Sequence, residues 1–359
     1  MPETATALTP ARPAQPRAGV RRRVGAAFVA AMISVYLVVA GPTMLTAVGT
    51  ITSASPVWLF AGLAATAGSM VAFSALRGRT LAVGGARISL RRTVAVSYGA
   101  GAVHTTLPVG AIFSTTYAFR HLKAWGASTS ATTWSMTITG LLSTLTLSSV
   151  GLLGLALTTS SGGSPWWPII EIAAAAGLIP FLVHVSRHLD TLTVLAKRGL
   201  IQINRMRHRP AETGLARMSE MVDDLRAIRP SGRDWLVCAA MALLNWVLDL
   251  ACLAACCAAV GVHVGMPALL ITYTAGMAAS SLLPLPAGLG AVETAMTVGL
   301  AVAGAAASPA LAAVLLYRLL STGSVVLIGW LVVAAQQSRS ARAVTQVLRT
   351  THSELRCNA

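Results

Sequence analysis

Long apolar stretches recur along this chain, and no other property limits its possible fold so severely. Trp235–Val260 and Ala310–Ala335 are two of them. Each exceeds the ~18 residues that mark a membrane-spanning helix. The rest of the composition agrees: 55% of the 359 residues are hydrophobic and only 11% are charged. With a mean hydropathy of +0.70, the chain lacks the charge to cover a soluble surface. The expectation is an all-α polytopic membrane protein. The first apolar run, after Arg23, lacks a small-residue cleavage pattern and reads as a retained span, not a signal peptide.

The net charge of +16 is distributed in a way that sets topology. Lys and Arg gather before the first span (Arg12 to Arg23), between Arg77 and Arg92, at Arg120 and Lys123, from Arg187 to Arg233 and from Arg339 to Arg356. The remaining connections, around Thr50–Pro56, Thr158–Pro165 and Gly261–Pro267, carry neither. Such segregation is the positive-inside pattern. It places the basic loops and both termini in the cytoplasm. Anionic lipid headgroups account for the basic character, and no nucleic-acid partner is expected.

Residues 1–23 read as a disordered basic arm, 24–335 as the transmembrane domain and 336–359 as a basic tail. Spans are expected at Val24–Val48, Val57–Leu76, Ser128–Leu157, Pro168–Ser186, Trp235–Val260 and Ala310–Ala335, with 187–233 as a cytoplasmic loop. Within that loop, Leu215–Ile228 resembles an amphipathic surface helix.

Two segments break this regularity. Thr93–Phe119 is apolar but has basic residues on both flanks, so a single crossing would violate the charge rule. Leu107-Pro108-Val109-Gly110 supplies a turning point. Met266–Leu283 and Leu289–Gly304 flank a second cluster of breakers, Pro284, Pro286, Gly288 and Gly290. The reading is six full spans plus two broken, re-entrant segments, or eight spans if both pieces of the second pair cross. Breaks at comparable places in the two halves point to inverted-topology repeats around a midplane site; two ordinary helix–loop–helix turns are the alternative.

Ionisable groups deep in an apolar helix are functional candidates. Arg318 lies about 13 Å along a helix starting at Ala310, at 1.5 Å per residue. It could pair structurally with Glu293 or Asp249, or receive a phosphate through its guanidinium fork. Glu293 falls in the first turn after Gly290, as a helix-terminus carboxylate, a counter-ion or a proton-coupling group. Asp249 and Asn245 share a face and suit a polar contact between helices. His104 reads as an interior histidine and Glu171 as a solvated interface residue. Cys238, Cys252, Cys256 and Cys257 read as packing residues. No catalytic constellation, cofactor motif or metal-ligand spacing stands out, so the chain is not read as an enzyme.

Pro284-Leu-Pro286-Ala-Gly288-Leu-Gly290-Ala-Val-Glu293, followed by Tyr317-Arg318, is the most specific pattern in the chain. With Trp246-Val-Leu-Asp249, Leu107-Pro108-Val-Gly110, Arg120 and Trp125-Gly126, it resembles the lysylphosphatidylglycerol synthase transmembrane-region family of bacterial membrane proteins. The resemblance covers about residues 24–335. It implies a plasma (inner) membrane setting and flippase-like handling of an anionic or polyprenyl-linked lipid headgroup, or a partner role beside a separate lipid-modifying enzyme. The implied headgroup site comprises Arg318, Glu293, Asp249, Pro286, Gly288, Gly290, Pro108, Gly110, Arg120 and Tyr317. Ala111 stands where many relatives have a second glycine, and Ser114-Thr115-Thr116 replaces a charged residue common there. The chain ends soon after its last span, so no aminoacyl-transferase domain is expected. A non-transporting scaffold that docks an enzyme on its basic loop is the competing function, and a membrane-embedded transferase a third.

Overall fold

Four long helices and two helical hairpins make up the part of the chain seen in a computed structural model, which describes residues 54–107, 109–159, 223–224, 228–282 and 286–337. The basic arm, the expected spans at 24–48 and 168–186, nearly all of the 187–233 loop, Pro108, Pro284 and the tail beyond 337 lie outside those residues.

The long helices are α1 (Pro56–Val83), α4 (Thr129–Thr159), α5 (Gly232–Ala259) and α8 (Ala307–Gln337). At 28 to 31 residues and ~1.5 Å per residue, each exceeds the ~30 Å hydrocarbon thickness. Local sequence sets their ends. Pro56 occupies the first turn of α1, where its missing N–H is harmless. α5 opens on a reciprocal cap between Ser231 and Asp234. Val57, Phe60, Leu327 and Leu331 are each more than 60% exposed. On a soluble protein that surface would be a liability; on a membrane protein it faces lipid. No strand occurs among the described residues.

Both broken segments are hairpins that return to the side they came from. The first is α2 (Leu90–Thr106) followed by α3 (Gly110–Ala124). Gly99 lies against Tyr117, and Gly110 against His104, so the two arms run antiparallel. Leu81, Ala86, Leu122, Ala127 and Ala131 cluster where the hairpin joins α1 and α4. The second hairpin is α6 (Met266–Leu282), a short turn at Pro286–Gly288, and α7 (Ala291–Val302). Its arms meet through Thr272 with Gly299, Gly276 with Met296 and Ser280 with Gly288. With 17 and 12 residues, the arms of the second hairpin reach only about 26 and 18 Å at ~1.5 Å per residue, short of the ~30 Å hydrocarbon thickness, so they fit the re-entrant reading and not two full crossings.

α1 and α5 pack along their length and run antiparallel. Arg79 near the end of α1 pairs with Asp234 at the start of α5. At the other extreme the Ser55 N–H donates to the Ala259 carbonyl at 3.3 Å. Since each hairpin follows the C-terminus of one of these helices, the two hairpins enter from opposite faces. The halves match closely. Ser69 on α1 donates to Asn245 on α5, residues 176 apart. The same separation relates the first residues of α1 and α5 and those of α2 and α6. α4 packs on α6 where Gly151 meets Thr274, and α8 packs on α2 where Gly329 meets Tyr98. Together these matches describe an inverted repeat, with each half's fourth described helix covering the other half's hairpin.

Those two glycine contacts differ in kind, which makes a test. A methyl at Gly329 would sit 2.3 Å from the Tyr98 carbonyl oxygen, whereas one at Gly151 would sit 2.6 Å from the Thr274 side chain. Backbone cannot rotate away and a threonine can. Gly329→Ala is expected to cost near the top of the ~1–3 kcal/mol typical of overpacking, and Gly151→Ala near its bottom. Thermal unfolding midpoints of the two detergent-solubilised variants decide this; equal midpoints would contradict it.

Candidate functional site

Arg318 lies farther along its helix than the sequence reading placed it. α8 begins at Ala307, not Ala310, so Arg318 is about 17 Å from the start at ~1.5 Å per residue. Its side chain is only 9% exposed. Directly after it, Leu319–Gly323 form a π-helical turn inside an otherwise continuous helix, a local widening often found at functional positions.

The guanidinium is held by the break in the second hairpin. Its Nε donates to Glu293 Oε1 at 2.8 Å, and Nη2 donates to the Ala287 carbonyl at 2.6 Å. The other Glu293 oxygen accepts the Gly290 N–H at 2.7 Å, at the first turn of α7. Ala287 is left-handed (φ 56°), an unusual conformation for a residue with a Cβ. Gly288 and Gly290 also have positive φ, as a turn this tight requires. One arginine thus satisfies a carbonyl freed by the break and neutralises the carboxylate that caps the next helix. Broken backbone inside a membrane needs partners of this kind. Of the two acids considered for the ion pair, Glu293 makes it.

Asp249 on α5 is bound differently. Its Oδ2 accepts hydrogen bonds from Tyr273 on α6 at 2.7 Å and Tyr317 on α8 at 2.8 Å. Trp246, one turn earlier, packs edge-on against Tyr273 and donates its indole N–H to the Ser143 carbonyl on α4 at 2.8 Å. Asn245 faces α1 through Ser69. The polar side chains of α5 therefore tie four helices together, and Asp249 and Asn245 serve different neighbours despite sharing a face. Each tyrosine bond to Asp249 is buried, so Tyr273→Phe or Tyr317→Phe alone should leave an acceptor short of a donor and cost about 1–3 kcal/mol. The double variant leaves the carboxylate without either donor and should cost more than the sum, as coupled neighbours do. Unfolding midpoints across the four-protein cycle measure the coupling, and strict additivity would refute it.

The first-half residues are dispersed. Gly110 forms the hairpin turn with Val109, also left-handed (φ 54°). Tyr117 donates to Gln336 near the end of α8 at 2.5 Å and stacks on His121. Arg120 and His104 are exposed, and neither bonds to the Arg318 cluster. Sequence reasoning thus grouped Arg120 with a cluster that the fold assembles without it. The four span cysteines are buried thiols, and the described residues contain no metal-binding group. The two breaks nonetheless converge: α2 of the first hairpin packs against the Pro286–Gly288 turn of the second.

Comparison with protein families matches residues 23–329 to the lysylphosphatidylglycerol synthase TM region. The chain belongs to this family. No curated protein gives a match. Within the lysylphosphatidylglycerol synthase TM region, as this chain presents it, the PAGLGAVE stretch from Pro286 builds the turn that Arg318 holds, and WVLD supplies the Asp249 bridge.

One buried charge escaped the sequence reading. Arg77, counted there with Arg79 among the topology-setting bases, turns inward and is 9% exposed. Its Nη1 donates to Ser97 on α2 at 3.1 Å, and its guanidinium carbon lies 4.9 Å from the centre of the Phe73 ring.

Proposed function

We propose that this protein handles an anionic or polyprenyl-linked lipid headgroup inside the plasma membrane and moves it between leaflets, without chemical change to the lipid. The observation that carries the reading is a nearly buried arginine, far along a membrane-spanning helix, bonded to the backbone of an interrupted helix and to its capping carboxylate. A guanidinium fork matches two phosphate oxygens as well as it matches a carboxylate. A headgroup phosphate would replace Glu293 on Arg318, and the Ala287 carbonyl would hold the guanidinium in place during the exchange. Asp249 and its two tyrosines would keep the neighbouring helices together. Pro286, Gly288 and Gly290 belong to that side of the site; Gly110 turns the opposing hairpin, and Arg120 lies toward the far end of its second arm. Inverted repeats with broken helices near the midplane suit alternate exposure to the two faces. The segregated basic loops support cytoplasmic termini.

The test is reconstitution into vesicles carrying labelled phosphatidylglycerol in one leaflet. Wild-type protein is expected to speed its redistribution at least tenfold over protein-free vesicles, and Arg318→Gln to return it to background. Redistribution unaffected by wild-type protein would overturn transport. A docking scaffold built on the basic 187–233 loop predicts instead that neutralising the loop arginines abolishes cellular function while Arg318→Gln does not.

A further inference from the structure

We propose that Arg77 forms a second anion site, binding a phosphoryl oxyanion on the first-half side, nearer the Arg79 end of α1. A guanidinium offers five N–H donors, and one of Arg77's is used, on Ser97. Its Nε is buried without any hydrogen-bond partner. Among the described residues the ion pairs are Arg79 with Asp234 and Arg318 with Glu293, and no carboxylate faces Arg77. A buried charge left uncompensated is strongly unfavourable. One hydroxyl acceptor and the face of Phe73 soften that penalty without removing it.

The interior charge is divided unequally between the halves. Near Arg318 stand two acids, Glu293 and Asp249, whereas among the described residues none stands at Arg77. Its position also excludes the usual explanation for an isolated base near a helix end. Six residues of α1 follow it, so it lies ahead of the last turn, the part of the helix where the dipole would favour a cation. Gly62 of α1 touches Leu320 beside Arg318. Arg77 is fifteen residues farther along, about 22 Å at ~1.5 Å per residue. The two arginines are therefore separate stations at different depths. The unused N–H groups form a planar fork that suits a phosphate. That phosphate could be a lipid headgroup or free inorganic phosphate. The lipid source rests on the function proposed above; the anion site itself does not.

Native mass spectrometry of the full chain tests it, with retention of phosphatidylglycerol compared with diacylglycerol, which has no phosphate. Arg77→Gln is expected to reduce phosphatidylglycerol retention about tenfold, the loss of one good charge-assisted bond. Arg77→Lys should retain part of it. Phe73→Glu adds an internal counter-charge one turn before Arg77 and should remove the same component of retention while raising the unfolding midpoint. That variant keeps the test decisive if Arg77→Gln fails to fold. Displacement by inorganic phosphate would assign the site to the free anion; resistance to it would assign the lipid. Wild-type retention in both Arg77→Gln and Phe73→Glu would overturn the proposal. Because retention is read without transport, its loss in these variants stands even if wild-type protein moves no lipid.

Discussion

Arg318→Gln should destabilise the protein by about 3–5 kcal/mol, because it leaves the Glu293 carboxylate buried beside an unanswered Ala287 carbonyl. Stability alone cannot separate a structural ion pair from a ligand-binding one. The double variant Glu293→Gln/Arg318→Gln can. Two neutral amides of similar shape remove the stranded charge, and replacing both members of a buried pair is often close to neutral. The double variant is therefore expected to recover most of the lost unfolding midpoint. Lipid redistribution should stay at background, since no guanidinium remains for the phosphate. Recovery of both properties would reduce Arg318 to a structural brace. Recovery of neither would mean that the pair has no separable contribution and that the hairpin turn depends on the arginine itself.

Gly110→Ala should be the most damaging glycine-to-alanine substitution among the described residues. A methyl there would lie 2.0 Å from the His104 carbonyl oxygen and 2.7 Å from its carbon. Both are main-chain atoms of the same tight hairpin, so relief requires opening the turn. The expected cost is at or above ~3 kcal/mol, the upper end for overpacking. Gly288→Ala is the instructive contrast. Gly288 has φ +61° and Gly110 does not, so backbone preference alone would rank Gly288 as the more sensitive. A methyl at Gly288, however, meets Ser280 and Val292 at 3.0 Å, and the left-handed conformation costs only ~1–2 kcal/mol. Space should outweigh torsion here. Unfolding midpoints with Gly110→Ala lower than Gly288→Ala would support that order, and the reverse order would refute it.

Much of this architecture was legible before any coordinates. Basic residues on both sides of Thr93–Phe119 forced a return to the same face, and the α2–α3 hairpin makes that return. Glu293 three residues after Gly290 announced the cap on α7, and its charge beside a lone arginine announced the pair. The misses have physical causes too. Arg77 and Arg79 are two residues apart, which on a helix is a rotation of about 200°. One can therefore face the interior while the other faces outward, and composition cannot say which. Tyr273 was invisible because a single tyrosine in an apolar helix becomes a ligand of Asp249 only through packing of α5 against α6. Alanine carries no sign that position 287 will be left-handed or that its carbonyl will need a donor. Arg120, which the resemblance alone placed in the headgroup site, is exposed on the first hairpin and makes no bond to the Arg318 cluster.

The π turn at Leu319–Gly323 fixes a phase relation within α8. Ahead of it, Arg318 faces the second hairpin; beyond it, Gly329 faces the first. A π turn holds one residue more than regular pitch would need, and each residue advances the helix by about 100°. Rewinding that turn to ordinary pitch at constant length would swing Gly329 off Tyr98 by that angle. Removing one residue there would let the two docking faces keep their alignment. Of all single-residue insertions and deletions in this span, a deletion between 319 and 323 is the one its geometry can absorb.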